Sequence, residues 1–122
     1  MKNYFVYILS SKSKVLYVGM SDDISRRIFK HKKELVEGFT KRYNVNKLVY
    51  YESHPELKSA VKREKQLKNW HRQWKINLIE SVNKDWKDLY PEISDPTKIL
   101  YSTDIGDAET SLSANRQVQH KE

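Results

Sequence analysis

The chain has 122 residues, 38% of them hydrophobic and 11% aromatic, and no cysteine; this is enough apolar material for one core and excludes a disordered polycation, a disulfide scaffold, a cysteine-ligated zinc site and a thiol nucleophile. Lysine and arginine number 23 against 16 acidic residues, a formal net charge of +7, so a polyanion is the first expected partner. The early apolar run, residues 4–9, is too short for a secretory or membrane-spanning segment, and the expectation is a soluble, unprocessed, cytoplasmic protein.

Residues 4–10 and 15–20 are rich in β-branched and aromatic side chains and flank Ser11, Lys12, Ser13 and Lys14, the pattern of a β-hairpin. A turn centred near Lys12 sets Tyr7 opposite Tyr17 and Phe5 opposite Gly19, all on one face. Ser21, Asp22 and Asp23 offer N-caps and Gly38 a stop, predicting a helix over 24–36. Its apolar stripe of Ile24, Ile28 and Leu35 also contains His31, with Arg27 flanking it one turn earlier. A polar, basic loop over 38–46 carries Thr40, Lys41, Arg42 and Tyr43, and residues 47–53 return to strand character through Leu48, Val49, Tyr50 and Tyr51. Pro55 suits the first turn of a helix reaching to about His71, and a further helix over about 73–82 has Trp74, Leu78, Ile79 and Val82 as its expected buried side. The predicted order is β-β-α-β-α-α.

Glu64 falls at the centre of the helix face shared by Leu57, Ala60, Leu67 and His71, the face expected to meet the core. Carboxylates are seldom buried without a partner. Two readings follow: a structural ion pair with an Arg or Lys, Arg27 being a candidate, or a role in metal ligation or catalysis. His31 poses the same choice, since a histidine in an apolar stripe is more often a hydrogen-bonded core residue than a catalyst. Two such groups on facing helices favour a site.

Lys62, Arg63, Lys65, Lys68, Arg72 and Lys75 interleave with Trp70, His71 and Trp74, which suits phosphate contact combined with stacking better than a merely solvated face. Trp74 is expected in the core, Trp70 either packs or stacks on a base, and Trp86 pins the chain after the last helix. Residues 94–122 hold three basic and five acidic groups and no sustained apolar period. They read as a polar, mobile tail, which leaves 20 basic and 11 acidic groups, a net charge of +9, on a folded unit of residues 1–93.

Phe5-Val6-Tyr7 and Tyr17-Val18-Gly19 resemble the paired tripeptides of the GIY-YIG nuclease family, with Arg27 ten residues after Tyr17, His31 one turn later, Glu64 on the next long helix and Asn83 downstream. The ordered spacing carries the resemblance, which spans about residues 1–93. The strings GFTKRY (38–43), LVYYES (48–53) and KREKQLKNWHRQWKINLIE (62–80), followed by Asn83, Trp86, Asp88 and Leu89, are similar to the small stand-alone bacterial members. Phe5 replaces the first glycine of the family's name motif, and Lys84 stands where a proline often follows the asparagine.

The resemblance implies an α+β fold, a three-stranded antiparallel sheet flanked by helices, with Tyr7, Tyr17, Arg27, His31 and Glu64 converging on one surface. It implies a metal-dependent endonuclease that hydrolyses DNA phosphodiester bonds, with branched, nicked or single-stranded DNA as candidate substrates and DNA repair among the family's settings. Glu64 would hold one divalent cation, Mg2+ or Mn2+, Arg27 would donate to the phosphoryl oxygens, and Tyr7, Tyr17 or His31 would orient or deprotonate the attacking water. Gly19 and Asn83 would support the site, and Arg42, Tyr43, Lys62, Arg63, Lys65, Lys68 and Arg72 would contact nucleic acid. Without the resemblance, Gly19 relieves packing or marks a bulge and Asn83 is a helix C-cap. The competing functional readings are a non-catalytic nucleic-acid-binding module of the same fold, with RNA as a partner, and a domain that binds an acidic protein.

Overall fold

The structure is a computed structural model, described here for residues 2–33 and 38–94. Strand β1 (Tyr4–Ser10) lies between β2 (Leu16–Ser21) and β3 (Lys47–His54) in an antiparallel sheet of order β2-β1-β3. The central place of β1 follows from its composition: Val6, Tyr7, Ile8 and Leu9 are consecutive apolar or aromatic residues, and all four are wholly buried, so both faces of the strand are covered. The hairpin closes through Ser11 N to Val15 O at 3.0 Å and Lys14 N to Ser11 O at 3.1 Å, with Lys14 in the left-handed region at φ 68°.

That closure sets the register, and it corrects the expected one. Tyr7 pairs with Gly19, Leu9 with Tyr17 and Phe5 with Ser21, because the turn is centred nearer Ser13 than Lys12. The slip is two residues, an even number, so Tyr7 and Tyr17 keep the same face.

Helix α1 (Ile24–Lys32) starts at Asp23, whose carboxylate accepts from Arg26 N at 3.4 Å, and ends on Lys30 and Lys32, whose charges suit the negative end of a helix. The C-cap is Lys33, and the rest of the predicted span to residue 36, Leu35 included, lies outside the described residues. A short helix α2 (Phe39–Arg42) forms within the expected loop. Helices α3 (Leu57–Asn69) and α4 (Arg72–Val82) follow β3, and a last turn, α5 (Tyr90–Ile93), has Pro91 near its start.

The sheet separates two apolar clusters. Val6, Ile8, Val18 and Met20 pack with Ala60 and Leu67 of α3, Ile79 of α4, and Trp86. Tyr7, Leu9 and Tyr17 pack with Ile24 and Ile28 of α1, together with Val45 and Leu48. The expected buried side of α4 is wrong by one residue of rotation: Trp74 is 53% and Val82 69% exposed, while Lys75 and Ile79 are buried. The reason is at the helix end, where Asn83 donates through Nδ2 to Val49 O at 3.0 Å and Lys87 O at 2.8 Å. This tie turns positions 75, 79 and 83 inward. Leu57, also expected on a core face, is half exposed in the first turn of α3.

The chain after α4 is fixed by polar ties. Trp86, at φ 57°, donates through Nε1 to Glu80 Oε2 at 2.7 Å. Asp88 accepts from Leu48 N and Tyr90 N and pairs with Lys32 of α1, joining three elements through one carboxylate. Among the described residues no helix is long and apolar enough to cross a membrane. Of the expected tail, residues 95–122 lie outside the described residues.

Candidate active site

The face of the sheet packed on α1 carries an unusual density of polar side chains for a buried surface. Tyr7 comes from β1, Tyr17 from the adjacent β2, and Arg27 and His31 from α1, where their four-residue spacing places them on one face. Each is 3% exposed or less, and Glu64 of α3 is completely buried. All five were read from the sequence as catalytic.

Tyr7 is the hub of this group. Arg27 Nε donates to its phenol oxygen at 3.1 Å, and His31 Nε2 lies 3.2 Å from the same oxygen. On the other side of the imidazole, Nδ1 lies 3.1 Å from Thr40 Oγ1 of α2, so His31 bridges Tyr7 and Thr40 through its two ring nitrogens. Tyr17 closes the cluster, its ring centroid 6.3 Å from that of Tyr7 and 5.6 Å from that of His31.

Gly19 explains how the phenol reaches this position. A Cβ at residue 19 would lie 2.5 Å from the Tyr7 hydroxyl and 2.6 Å from its ring carbon Cζ, so the Tyr7 side chain occupies the space over the residue with which it pairs. The glycine is required by this close approach and not by its backbone angles.

Burial controls the protonation of the group. Burial pushes the Tyr7 phenol up, against the opposing pull of Arg27, and pushes Tyr17 well up, with Tyr7 adding to the rise. Glu64 is near enough for its charge to raise both phenols further. Burial, reinforced by the Arg27 charge, holds His31 well below the usual imidazole range. Burial also disfavours the Arg27 cation, but the two tyrosines outweigh it and its pKa is raised. At neutral pH the cluster therefore contains two phenols, a neutral imidazole and a guanidinium.

Two charged groups complete this network. Nη1 and Nη2 of Arg27 are buried and make no hydrogen bond among the described residues, a costly arrangement for a charged donor. Glu64 pairs with Lys68, one turn on in α3, at 3.2 Å. No three His, Cys, Asp or Glu side chains cluster as a metal cage among the described residues. A single buried carboxylate does fit a hard cation of the Mg2+ type, which takes oxygen donors and keeps several of its waters.

The remaining predicted residues divide by location. Asn83 serves as the C-cap of α4, with Oδ1 accepting from Lys87 N at 3.0 Å, and holds β3 through Val49. Arg63 bonds Glu52 at 2.9 Å and lies over Trp70 at 5.3 Å, while Arg72 donates to Lys14 O at 2.6 Å. Arg42, Tyr43, Lys62 and Lys65 are exposed. Sequence reasoning did not single out Thr40 as a site residue, although it lies in the GFTKRY string; its role depends on a nine-residue closure that places α2 against α1.

Residues 3–77 match the family model of the GIY-YIG catalytic domain. A UPF0213 protein of Staphylococcus epidermidis is 34% identical over 80 residues, covering 66% of this chain and 98% of its own length. A UPF0213 protein of Staphylococcus saprophyticus is 37% identical over 79 residues, covering 65% of this chain and 96% of its own. Among solved structures, the solution NMR structure of the UPF0213 protein BH0048 from Bacillus halodurans is 26% identical, covers 76% of this chain and 99% of that one, and has a TM-score of 0.48. The matched span contains both tyrosine tripeptides, Arg27, His31 and Glu64, and the chain belongs to the GIY-YIG family of nucleases.

Proposed function

We propose that the protein is a divalent-cation-dependent endonuclease that hydrolyses DNA phosphodiester bonds, with branched, nicked or single-stranded DNA as its substrates. The observation that carries this reading is Arg27: a buried, permanently charged fork with both terminal nitrogens lacking an acceptor among the described residues, beside a tyrosine–histidine pair. Two parallel donors match two oxygens of a phosphoryl group, and their attraction grows as negative charge accumulates on those oxygens.

The cluster also has a route for the proton that hydrolysis releases. Tyr7 takes the proton of the attacking water as its own passes to His31 Nε2, which is neutral and already in hydrogen-bond range. Arg27 Nε stabilises the phenol oxygen while that exchange occurs. Tyr17 holds the neighbouring flank of the cluster. Glu64 would hold Mg2+ or Mn2+, and the cation would supply positive charge to the phosphate and the leaving oxygen. Because all five groups are buried, the phosphate reaches them only as covering side chains move aside.

Supercoiled, single-stranded and branched DNA incubated with the protein in Mg2+, in Mn2+ and in chelator, alongside Arg27→Ala and Glu64→Ala, tests the proposal. Cleavage in metal that is lost in chelator and in both variants is expected. Metal-independent cleavage, or cleavage retained by both variants, would overturn it, and DNA binding without cutting in any metal would make the protein a non-catalytic module.

A further inference from the structure

Beside the catalytic cluster lies a cleft of about 310 Å3 formed by the hairpin turn, α2 and the start of α4. Phe39 of α2 and its C-cap Tyr43 line one side and Arg72 of α4 and the hairpin turn the other, with no acidic side chain in the lining among the described residues; the Lys14 ammonium of that turn lies over the Trp86 ring, 4.5 Å from its centroid. The volume is at the small end of ligand pockets, about 300–1,000 Å3.

Three arrangements give the cleft a chemical identity. Phe39 and Tyr43 pack with ring centroids 4.8 Å apart, so the tyrosine is braced from behind. It remains 45% exposed despite that contact, and the Arg42 guanidinium lies 5.6 Å from its ring. Arg72 is held at the rim by its bond to Lys14 O. A braced, exposed aromatic ring facing a fixed guanidinium is a combination that takes a flat base attached to a phosphate, and a paired base inside a duplex cannot present its face in this way.

The cleft is also joined to the cluster through α2: Thr40, the residue after Phe39, bonds His31. We propose that this cleft is a base-binding subsite, in which an unpaired nucleobase close to the scissile phosphate stacks on Tyr43 while Arg72 contacts its flanking phosphate. The inference rests on the nuclease reading and narrows it to substrates with unpaired bases near the cut.

The test compares binding, in chelator, of a fluorescent eight-nucleotide DNA single strand and of the same phosphodiester backbone built from abasic units. Wild-type protein is expected to prefer the base-bearing strand by about five- to a hundredfold, the range of stacking one base on an aromatic ring. Tyr43→Ala should lose most of that preference, Tyr43→Phe should retain it, and neither should change the salt dependence, since no charge is removed. Thermal unfolding checks that each variant is folded, as expected for a residue this exposed. Equal binding of the two strands by wild type, or an undiminished preference in Tyr43→Ala, overturns the subsite. If wild-type protein cuts DNA in metal while either result holds, only the subsite falls; if it neither binds nor cuts DNA, the nuclease reading falls with it.

Discussion

The two faces of β1 are equally buried and chemically opposite. Val6 and Ile8 meet Ala60, Leu67, Ile79 and Trp86 in an apolar contact. Tyr7, one position away, meets Arg27 and His31 through hydrogen bonds. Burial on the first face removes apolar surface from water and stabilises the fold. On the second, beside the apolar contacts of Leu9 and Tyr17 with Ile24 and Ile28, it raises two phenols, lowers an imidazole and leaves two guanidinium nitrogens without acceptors among the described residues, conditions that suit the handling of a phosphate and a proton.

Substitutions can separate the faces. Ile8→Ala should give the largest loss of stability, about 2–5 kcal/mol by chemical denaturation, while the folded fraction cleaves DNA at the wild-type rate. Arg27→Met should do the reverse: cleavage falls by about 10²–10³, the cost of losing one aimed donor group, and the melting temperature does not fall, because a buried charge with unmet donors is removed. A large destabilisation by Arg27→Met would show that the second face is structural as well.

Gly19→Ala probes the boundary between them. The new methyl group would lie 2.5 Å from the Tyr7 hydroxyl and 2.9 Å from Tyr17 Cε2, so a cost of about 1–3 kcal/mol is expected from overpacking. Cleavage should fall further than stability explains, since Tyr7 must leave its contacts with Arg27 and His31. A fully active Gly19→Ala protein would rule Tyr7 out as the hub.

The smallest effect is in pH. The folded state refuses a proton at His31 that the unfolded chain accepts near pH 6.5. Its contribution to stability is therefore complete above about pH 6.5 and is lost as pH falls below that value. Melting temperatures measured between pH 7.5 and 5.5 should decline, and His31→Gln should flatten the decline. Tyr7 and Tyr17, raised in the folded state, act in the opposite sense, contributing below about pH 10 and losing that contribution as pH rises past it.

Much of this was legible in the residues. The alternation of β-branched and aromatic side chains marked the hairpin, the caps around 21–23 marked the start of α1, and period and spacing put His31, Arg27 and Glu64 on inward faces. The errors came where contacts distant in sequence decide. The hairpin register depends on a left-handed Lys14. The rotation of α4 depends on Asn83 reaching Val49, which turned Trp74 outward although its spacing matched Leu78 and Ile79. Periodicity locates a stripe to within about one residue, which is enough to name a helix and too coarse to orient it.

The sequence by itself determined the elements, the excess of positive charge and the family, because local propensity, composition and motif spacing are properties of the chain alone. The tertiary structure decided the partnerships: Tyr7 over Gly19, His31 with Thr40, and the cleft between Tyr43 and Arg72. Each joins groups whose approach depends on strand register, helix rotation or loop closure, and those are fixed only when the whole core packs at once.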